Sequence, residues 1–470
     1  MTPLFRPLRE LSEAVRERRV SPLALAETFL ERLQRLGPRY NALVTLTRER
    51  ALVAARRADG EIAAGRWRGP LHGIPYAVKD LLATAGGIPT TWGAAPLRTQ
   101  TFDTDATVIR RLDEAGAVLI GKLAMVELAG GMGYRQPNAS FTGPGISPWG
   151  QDAWSGGSSS GSGSAVAAGL VPFAIGSETW GSILSPAAYC GVSGLRPTYG
   201  RVSRHGAMAL CWTLDKLGPL ALTADDCGLV LEAIAGADPL DATAADRPFR
   251  YEADDTTARR FRFGVLRGVA DNAEPAVQET FARSLETLRK IGTLEEVTLP
   301  DLPYDAVTRT ILFAEAASAF EDLIESGAIA GLTAPEDHYT PYARDVILAK
   351  DYVKALRLRG VIMREADRAL ASLDALVAPG RPATAPPLDR EFRDLHRPAR
   401  DPMGAIGNVA GLPAIAVPNG FSERGLPTSL QFMGRAWEEN TILAAARAWQ
   451  SITDWHLRRP PVEGIERPAR

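Results

Sequence analysis

The run Ser155-Gly-Gly-Ser-Ser-Ser-Gly-Ser-Gly-Ser164, continuing into Ala165-Val-Ala-Ala-Gly169, Leu170-Val-Pro-Phe-Ala-Ile175 and Gly176-Ser-Glu-Thr-Trp-Gly-Ser182, decides how this chain is read. Alone, a Gly/Ser tract reads as a flexible linker. This one passes without a break into a small-residue helix at 165–169 and an apolar strand at 170–175, so it belongs to a folded core. Backbone N–H groups where such a loop enters a helix suit an anion.

The flanks carry the same rhythm. Upstream, Gly73-Ile-Pro-Tyr-Ala-Val-Lys79-Asp80 reads as a short buried strand ending at a lysine. A helix is expected over 22–36, with Ser21 as N-cap, Pro22 at the first helical position and Gly37 past the end. Another is expected over 105–114, closed by Gly116 and followed by a strand at 117–120. Downstream, 261–266 and 374–378 read as strands and 342–369 as a long helical segment. The stretches 403–412 and 414–417 resume the core pattern. This alternation predicts an α/β protein with a sheet between helices. We expect one unit over 1–470, with about 238–370 as a peripheral, mostly helical region covering the core.

Composition narrows the function. With 470 residues, 45% hydrophobic and 23% charged, the chain can bury a large core. A net charge of −2 gives no reason to expect nucleic acid or a membrane surface as a direct partner. The amino terminus lacks the apolar region of a signal peptide. The longest apolar stretch, 165–175, is too short to span a bilayer. Three cysteines without CxxC spacing read as reduced thiols, hence a cytoplasmic protein. Five scattered histidines predict no metal site, and nothing calls for a cofactor.

The basic residues are lopsided. Six are lysines (79, 122, 216, 290, 350 and 354) and the rest of the 53 are arginine. Arginine replaces lysine on most surfaces but not where the side chain must lose its proton. Lys79, at the end of an apolar strand, is the lysine that fits such a role.

Taken together, the 73–80 strand, the Gly156–Ser162 block, the Gly176–Ser182 turn, Cys190-Gly-Val-Ser-Gly-Leu-Arg-Pro-Thr-Tyr-Gly-Arg-Val-Ser203 and Asn408-Val-Ala-Gly-Leu-Pro-Ala-Ile-Ala-Val-Pro418 resemble the amidase signature family. The resemblance covers nearly the whole chain and is thinnest over 238–370. It implies an α/β/α sandwich with a large twisted mixed sheet. It implies Ser182 as nucleophile, Ser158 as a proton relay preceded by a cis peptide bond, and Lys79 as base. Each role makes chemical sense. A serine hydroxyl needs a base to take its proton, and burial can keep a lysine neutral enough to serve. The N–H groups of Thr179, Trp180, Gly181 and Ser182 are the expected oxyanion hole. An amide substrate and water would be the partners, and a homodimer is compatible with this reading.

Two departures from the family pattern bear on substrate choice. Trp180 stands where the family usually has a glycine. It either packs into the core or walls the acyl pocket. Leu184 and Ser185 stand where relatives acting on carboxylates often carry an arginine, which argues for neutral, apolar or aryl amides, or carbamates or esters. Gly131 and Met132, in a glycine-rich stretch resembling one that approaches substrate in the family, are candidate pocket residues with Trp180 and Leu184. Asp215 reads as a turn or helix-end residue.

The alternatives differ in kind. A phosphate-binding loop would need Gly-Lys-Ser/Thr, which is absent. A Ser-His-Asp triad through His205 lacks a Gly-x-Ser-x-Gly turn around Ser182. The family also includes the A subunit of the tRNA-dependent glutamine amidotransferase, which passes ammonia to a tRNA-binding partner. That is the main alternative.

Overall fold

The computed structural model describes residues 2–254, 256, 259–344, 346–392 and 401–462. Eleven strands form one mixed sheet. In chain order they are β1 (Leu43–Leu46), β2 (Pro75–Lys79), β3 (Val118–Leu123), β4 (Phe173–Glu178), β5 (Ser193–Arg196), β6 (Lys216–Ala221), β7 (Phe261–Leu266), β8 (Gly292–Val297), β9 (Ala375–Pro379), β10 (Ala414–Phe421) and β11 (Pro427–Met433). Their order across the sheet is β1-β3-β2-β4-β6-β5-β10-β11-β9-β7-β8. Parallel pairs β3/β2, β2/β4, β9/β7 and β7/β8 flank an antiparallel middle. This is the α/β sandwich expected.

The central strands β2, β3, β4 and β6 are buried along their whole length. They therefore read as continuous apolar runs rather than alternating ones. The helix Ser160–Ala167 packs on β2, β3, β4 and β6, and Leu184–Cys190 packs on β5, β10 and β11. The first takes in the second half of the Gly/Ser tract, Ser160–Ser164, and the second follows the Ser182 turn.

The first expected helix is Pro22–Leu36, with Ser21 Oγ accepting from Ala24 N at 3.1 Å and Pro22 at the first position. Gly37 follows, but its φ of −54° is ordinary. What demands glycine is space. A Cβ there would sit 2.4 Å from Leu33 O and 2.8 Å from Leu43 Cβ.

The 238–370 stretch does more than lie over the core. Its strands β7 and β8, joined by the helix Pro275–Leu288, extend the sheet to its far edge. No sequence pattern points to β8, because Gly-Thr-Leu-Glu-Glu-Val is a half-exposed edge strand bearing charge. Helices Tyr304–Ala319 and Ala349–Leu370 then pack on each other. The latter starts later than the expected 342, after a 3-10 turn at Thr340–Arg344, and residue 345 lies outside the described residues.

The Gly/Ser helix meets the sheet by backbone contact. A Cβ on Gly161 would lie 2.5 Å from Ala42 O and 2.6 Å from Ala124 N. Gly161→Ala should therefore destabilise the protein by about 1–3 kcal/mol, the range for overpacking a tight core. A thermal or urea midpoint unchanged from wild type would refute this contact.

Candidate active site

Lys79 is the last residue of β2 and is fully buried. Its Nζ donates to Ser158 Oγ at 2.6 Å and to Ser177 Oγ at 2.9 Å. The Gly157–Ser158 peptide bond is cis. Burial lowers the Lys79 pKa to about 7, against a smaller upward pull from Asp215 and Glu178. A substantial neutral fraction is thus present at neutral pH, the state a general base requires.

Ser182 sits just before the helix Leu184–Cys190 and is 8% exposed. Its carbonyl accepts from Ser159 N at 3.3 Å, which brings the Ser182 turn against the Ser158 segment. The Ser182 hydroxyl makes no hydrogen bond to a described residue. The N–H groups of Thr179, Trp180, Gly181 and Ser182 likewise donate to no described acceptor. A cluster of four free donors at a buried turn is able to receive a developing negative oxygen.

The turn is held from beneath by a buried carboxylate. Glu178 Oε2 accepts from Ile183 N at 2.9 Å and Leu184 N at 3.0 Å. Its Oε1 takes Arg196 Nη1 at 2.8 Å and Asn408 Nδ2 at 3.2 Å. Burial alone would raise the Glu178 pKa, but Arg196 and Lys216 outweigh it and hold it at about 2. Lys216 Nζ in turn donates to Asn408 Oδ1 at 2.8 Å.

A second carboxylate braces the turn from the side. Asp215 accepts from the Thr179 hydroxyl at 2.5 Å and from Leu210 N and Cys211 N at 2.8 and 2.9 Å. In sequence Asp215 reads as a turn residue; in space it reaches the 179–182 turn. The loop around it is tied down by Glu315, which accepts from Cys211 Sγ, Thr213 N, Thr213 Oγ1 and the Tyr352 hydroxyl.

Trp180 lies on the wall of a cavity of about 510 Å³ that also borders Gly157, Gly181 and Ser185. It is partly exposed, with Arg309 stacked 5.0 Å over its ring. Only Gly181, at φ +84°, takes the left-handed conformation, while Trp180 keeps an ordinary negative φ. That is how the turn admits a tryptophan.

The other three candidate pocket residues do not border this cavity. Met132 and Leu184 are core residues, 1% and 3% exposed. Gly131 faces Phe320 and Leu210, because Leu128 and Ala129 adopt positive φ and turn the segment inward. His205 lies in a separate small cavity beside Arg204 and Asp215, and hydrogen-bonds only through its backbone among the described residues.

Arg381 carries no signal in sequence. It follows β9, yet its guanidinium stands opposite Gly181 in the larger cavity. It brings a guanidinium to the same turn from a distant part of the chain, ion-paired with Asp401 at 3.0 Å.

Among the described residues, no cluster of His, Cys, Asp or Glu could hold a metal, and no helix is long and apolar enough to cross a membrane. The three cysteines are free and buried.

A family model described as Amidase matches residues 24–443. The chain is 38% identical to the A subunit of the glutamyl-tRNA(Gln) amidotransferase of Moorella thermoacetica, over 96% of this chain and 97% of that one. The native peptide amidase of Stenotrophomonas maltophilia superposes with a TM-score of 0.85 at 32% identity, covering 98% and 99% of the two chains. A chain from a vestigial protein complex bearing on the origins of an s-triazine catabolic enzyme gives 0.87 at 32% identity, covering 95% and 98%.

Because only neutral Lys79 can accept a proton, kcat/KM should fall as pH drops through about 7. Asp215→Asn removes a negative charge that favours the protonated lysine, so this limb should move to lower pH. A limb that stays in place would mean that Lys79 is not the titrating base.

Proposed function

Since the chain belongs to the amidase family, we propose that it hydrolyses C–N bonds of amides through an acyl-enzyme on Ser182. The observation that carries this reading is the buried Lys79–Ser158 contact, 2.6 Å long, beside the Ser182 turn. Ser182 attacks the substrate carbonyl. Ser158 takes the Ser182 proton and passes one of its own to Lys79. The oxygen of the tetrahedral intermediate is received by the free N–H groups of residues 179–182. The relay then returns the proton to the leaving nitrogen, and water activated by the same relay releases the acid from Ser182. Losing one oxyanion donor typically costs on the order of 10²–10³ in rate.

The aromatic lining of the cavity, with Trp154, Tyr134, Tyr189, Phe392 and Trp180, supports an apolar or aryl group in the substrate. Carbamates and esters share the chemistry. The three free thiols support a cytoplasmic setting.

A second reading is favoured by sequence. The 38% identity to the A subunit of an amidotransferase, end to end, supports a role as the glutaminase component of such an assembly, with ammonia handed to a partner. Both readings use the same serine chemistry and differ in substrate and company. The likeness to a peptide amidase supports the amidase reading.

Intact-mass analysis after treatment with a fluorophosphonate tests the shared chemistry. One adduct is expected on wild type, none on Ser182→Ala and slow addition on Lys79→Ala. An adduct retained in Ser182→Ala would refute the nucleophile. Purification at low salt, followed by a glutaminase assay, separates the two settings. A copurifying partner with glutamine-dependent ammonia release supports the amidotransferase component; a lone chain or homodimer hydrolysing aryl or peptide amides supports the amidase. Trp180→Gly should change the ranking of aryl against small aliphatic amides, and an unchanged ranking would remove Trp180 from the pocket.

A further inference from the structure

Lys79 and Ser158 are buried, at 0% and 1% exposure, so a proton they hold needs a way out. The smaller cavity offers one. It measures about 180 Å³, and its wall includes Ser177 and Asp215. The larger cavity meets the same segment further on, at Trp180 and Gly181, and no described residue borders both. Ser177 is the link to the base. Its Oγ accepts from Lys79 Nζ at 2.9 Å, and the residue is more than nine-tenths buried. A hydroxyl that accepts still has one O–H to give. No described residue accepts from Ser177 Oγ, and Ser177 stands on the cavity wall.

The cavity suits a short chain of waters. One water needs about 10–15 Å³ of such space and two to four polar partners. Thr179, the Asp215 carboxylate and the His205 imidazole, which bonds to no described residue, stand on the same wall as Ser177. The far end reaches solvent at Trp212 and Leu240, which are both exposed.

The chemistry calls for such a route. When water adds to the acyl carbonyl and the bond to Ser182 Oγ breaks, one water proton returns to Ser182 through the relay. The other stays on the acid, which passes it through Ser158 to neutral Lys79. A carboxylate and an ammonium group are then left in one buried site. We propose that the smaller cavity is the proton exit of the base, with Ser177 as its inner link. Lys79 Nζ gives its proton to Ser177 Oγ as the Ser177 hydroxyl proton passes to cavity water and on to solvent. Rotation of the hydroxyl restores Ser177. Lys79 is thus neutral again while product still fills the larger cavity. This rests on Ser182 being the nucleophile and Lys79 its base, and adds the step that resets them.

The test fills the cavity without touching the relay. Ala209, on the cavity wall, is changed to Phe, and hydrolysis of p-nitrophenyl butyrate is followed. The initial burst of nitrophenolate reads acylation, and the steady rate reads the steps after it. In Ala209→Phe the burst rate and the rate of fluorophosphonate labelling should stay within about two-fold of wild type, while the steady rate falls roughly ten-fold. A small base such as 1,2-dimethylimidazole, entering by the larger cavity, should restore the steady rate of the variant and leave wild type unchanged, once its own reaction with the ester is subtracted. Ser177→Ala should show the same loss and the same rescue, and Ser177→Thr, which keeps a hydroxyl, should show neither. A steady rate unchanged in both Ala209→Phe and Ser177→Ala, or a loss that the base does not relieve, overturns the exit. A wild-type protein that gives neither burst nor label overturns the Ser182 reading instead, so the two failures are told apart.

Discussion

The buried carboxylate of Glu178 is the constraint on which the rest of the site depends. It ends β4, and both its oxygens are used. One caps the two N–H groups directly after Ser182, the other takes Arg196 of β5 and Asn408 of the helix before β10. Removing it would leave Arg196 and Lys216 buried without their counter-charge, a loss worth several kcal/mol for a buried pair. It would also release the start of the helix Leu184–Cys190. The serine turn, three strands and one helix therefore share a single electrostatic centre. Lys79 occupies the opposite condition: it is buried with two hydroxyls and no carboxylate in contact among the described residues, so desolvation wins and its proton is loosely held. The same protein interior keeps one group charged and lets another be neutral, and the difference lies in which partners reach each.

Much of this is legible along the chain. The lopsided use of lysine singles out Lys79, and the resemblance to the amidase signature family points to Ser158 and Ser182. The structure adds the contact between Lys79 and Ser158, and its Gly157–Ser158 peptide bond is cis as the resemblance implies. What is not legible is what depends on chain-distant approach. Asp215 looks like a turn residue because its partner, the Thr179 hydroxyl, lies far from it in the chain. Arg381 sits in a proline-rich stretch that carries no pattern. Its place opposite Gly181 follows only from the strand order, which sets β9 beside β11. Met132 and Leu184 look like pocket residues from their neighbours in sequence, but two left-handed residues and a helix start turn them into the core. The edge strand β8 escapes notice because an exposed edge tolerates charge and shows no apolar run.

Strand order also has a consequence for how the molecule comes into being. The strand β5 is completed early in the chain, yet it pairs on one side with β10, at Arg196 opposite Ala414. Asn408, which steadies both Glu178 and Lys216, is made later still than β9. During synthesis the serine turn therefore exists for roughly two hundred residues of elongation without the neighbours that immobilise it, an interval of roughly ten to forty seconds at ordinary synthesis rates. Long-range pairing of this kind makes folding slow and leaves strand edges open while it waits. A turn whose bracing residues lie so far downstream cannot take its final geometry until they are made, so the topology moves the organisation of this site to a late stage of synthesis.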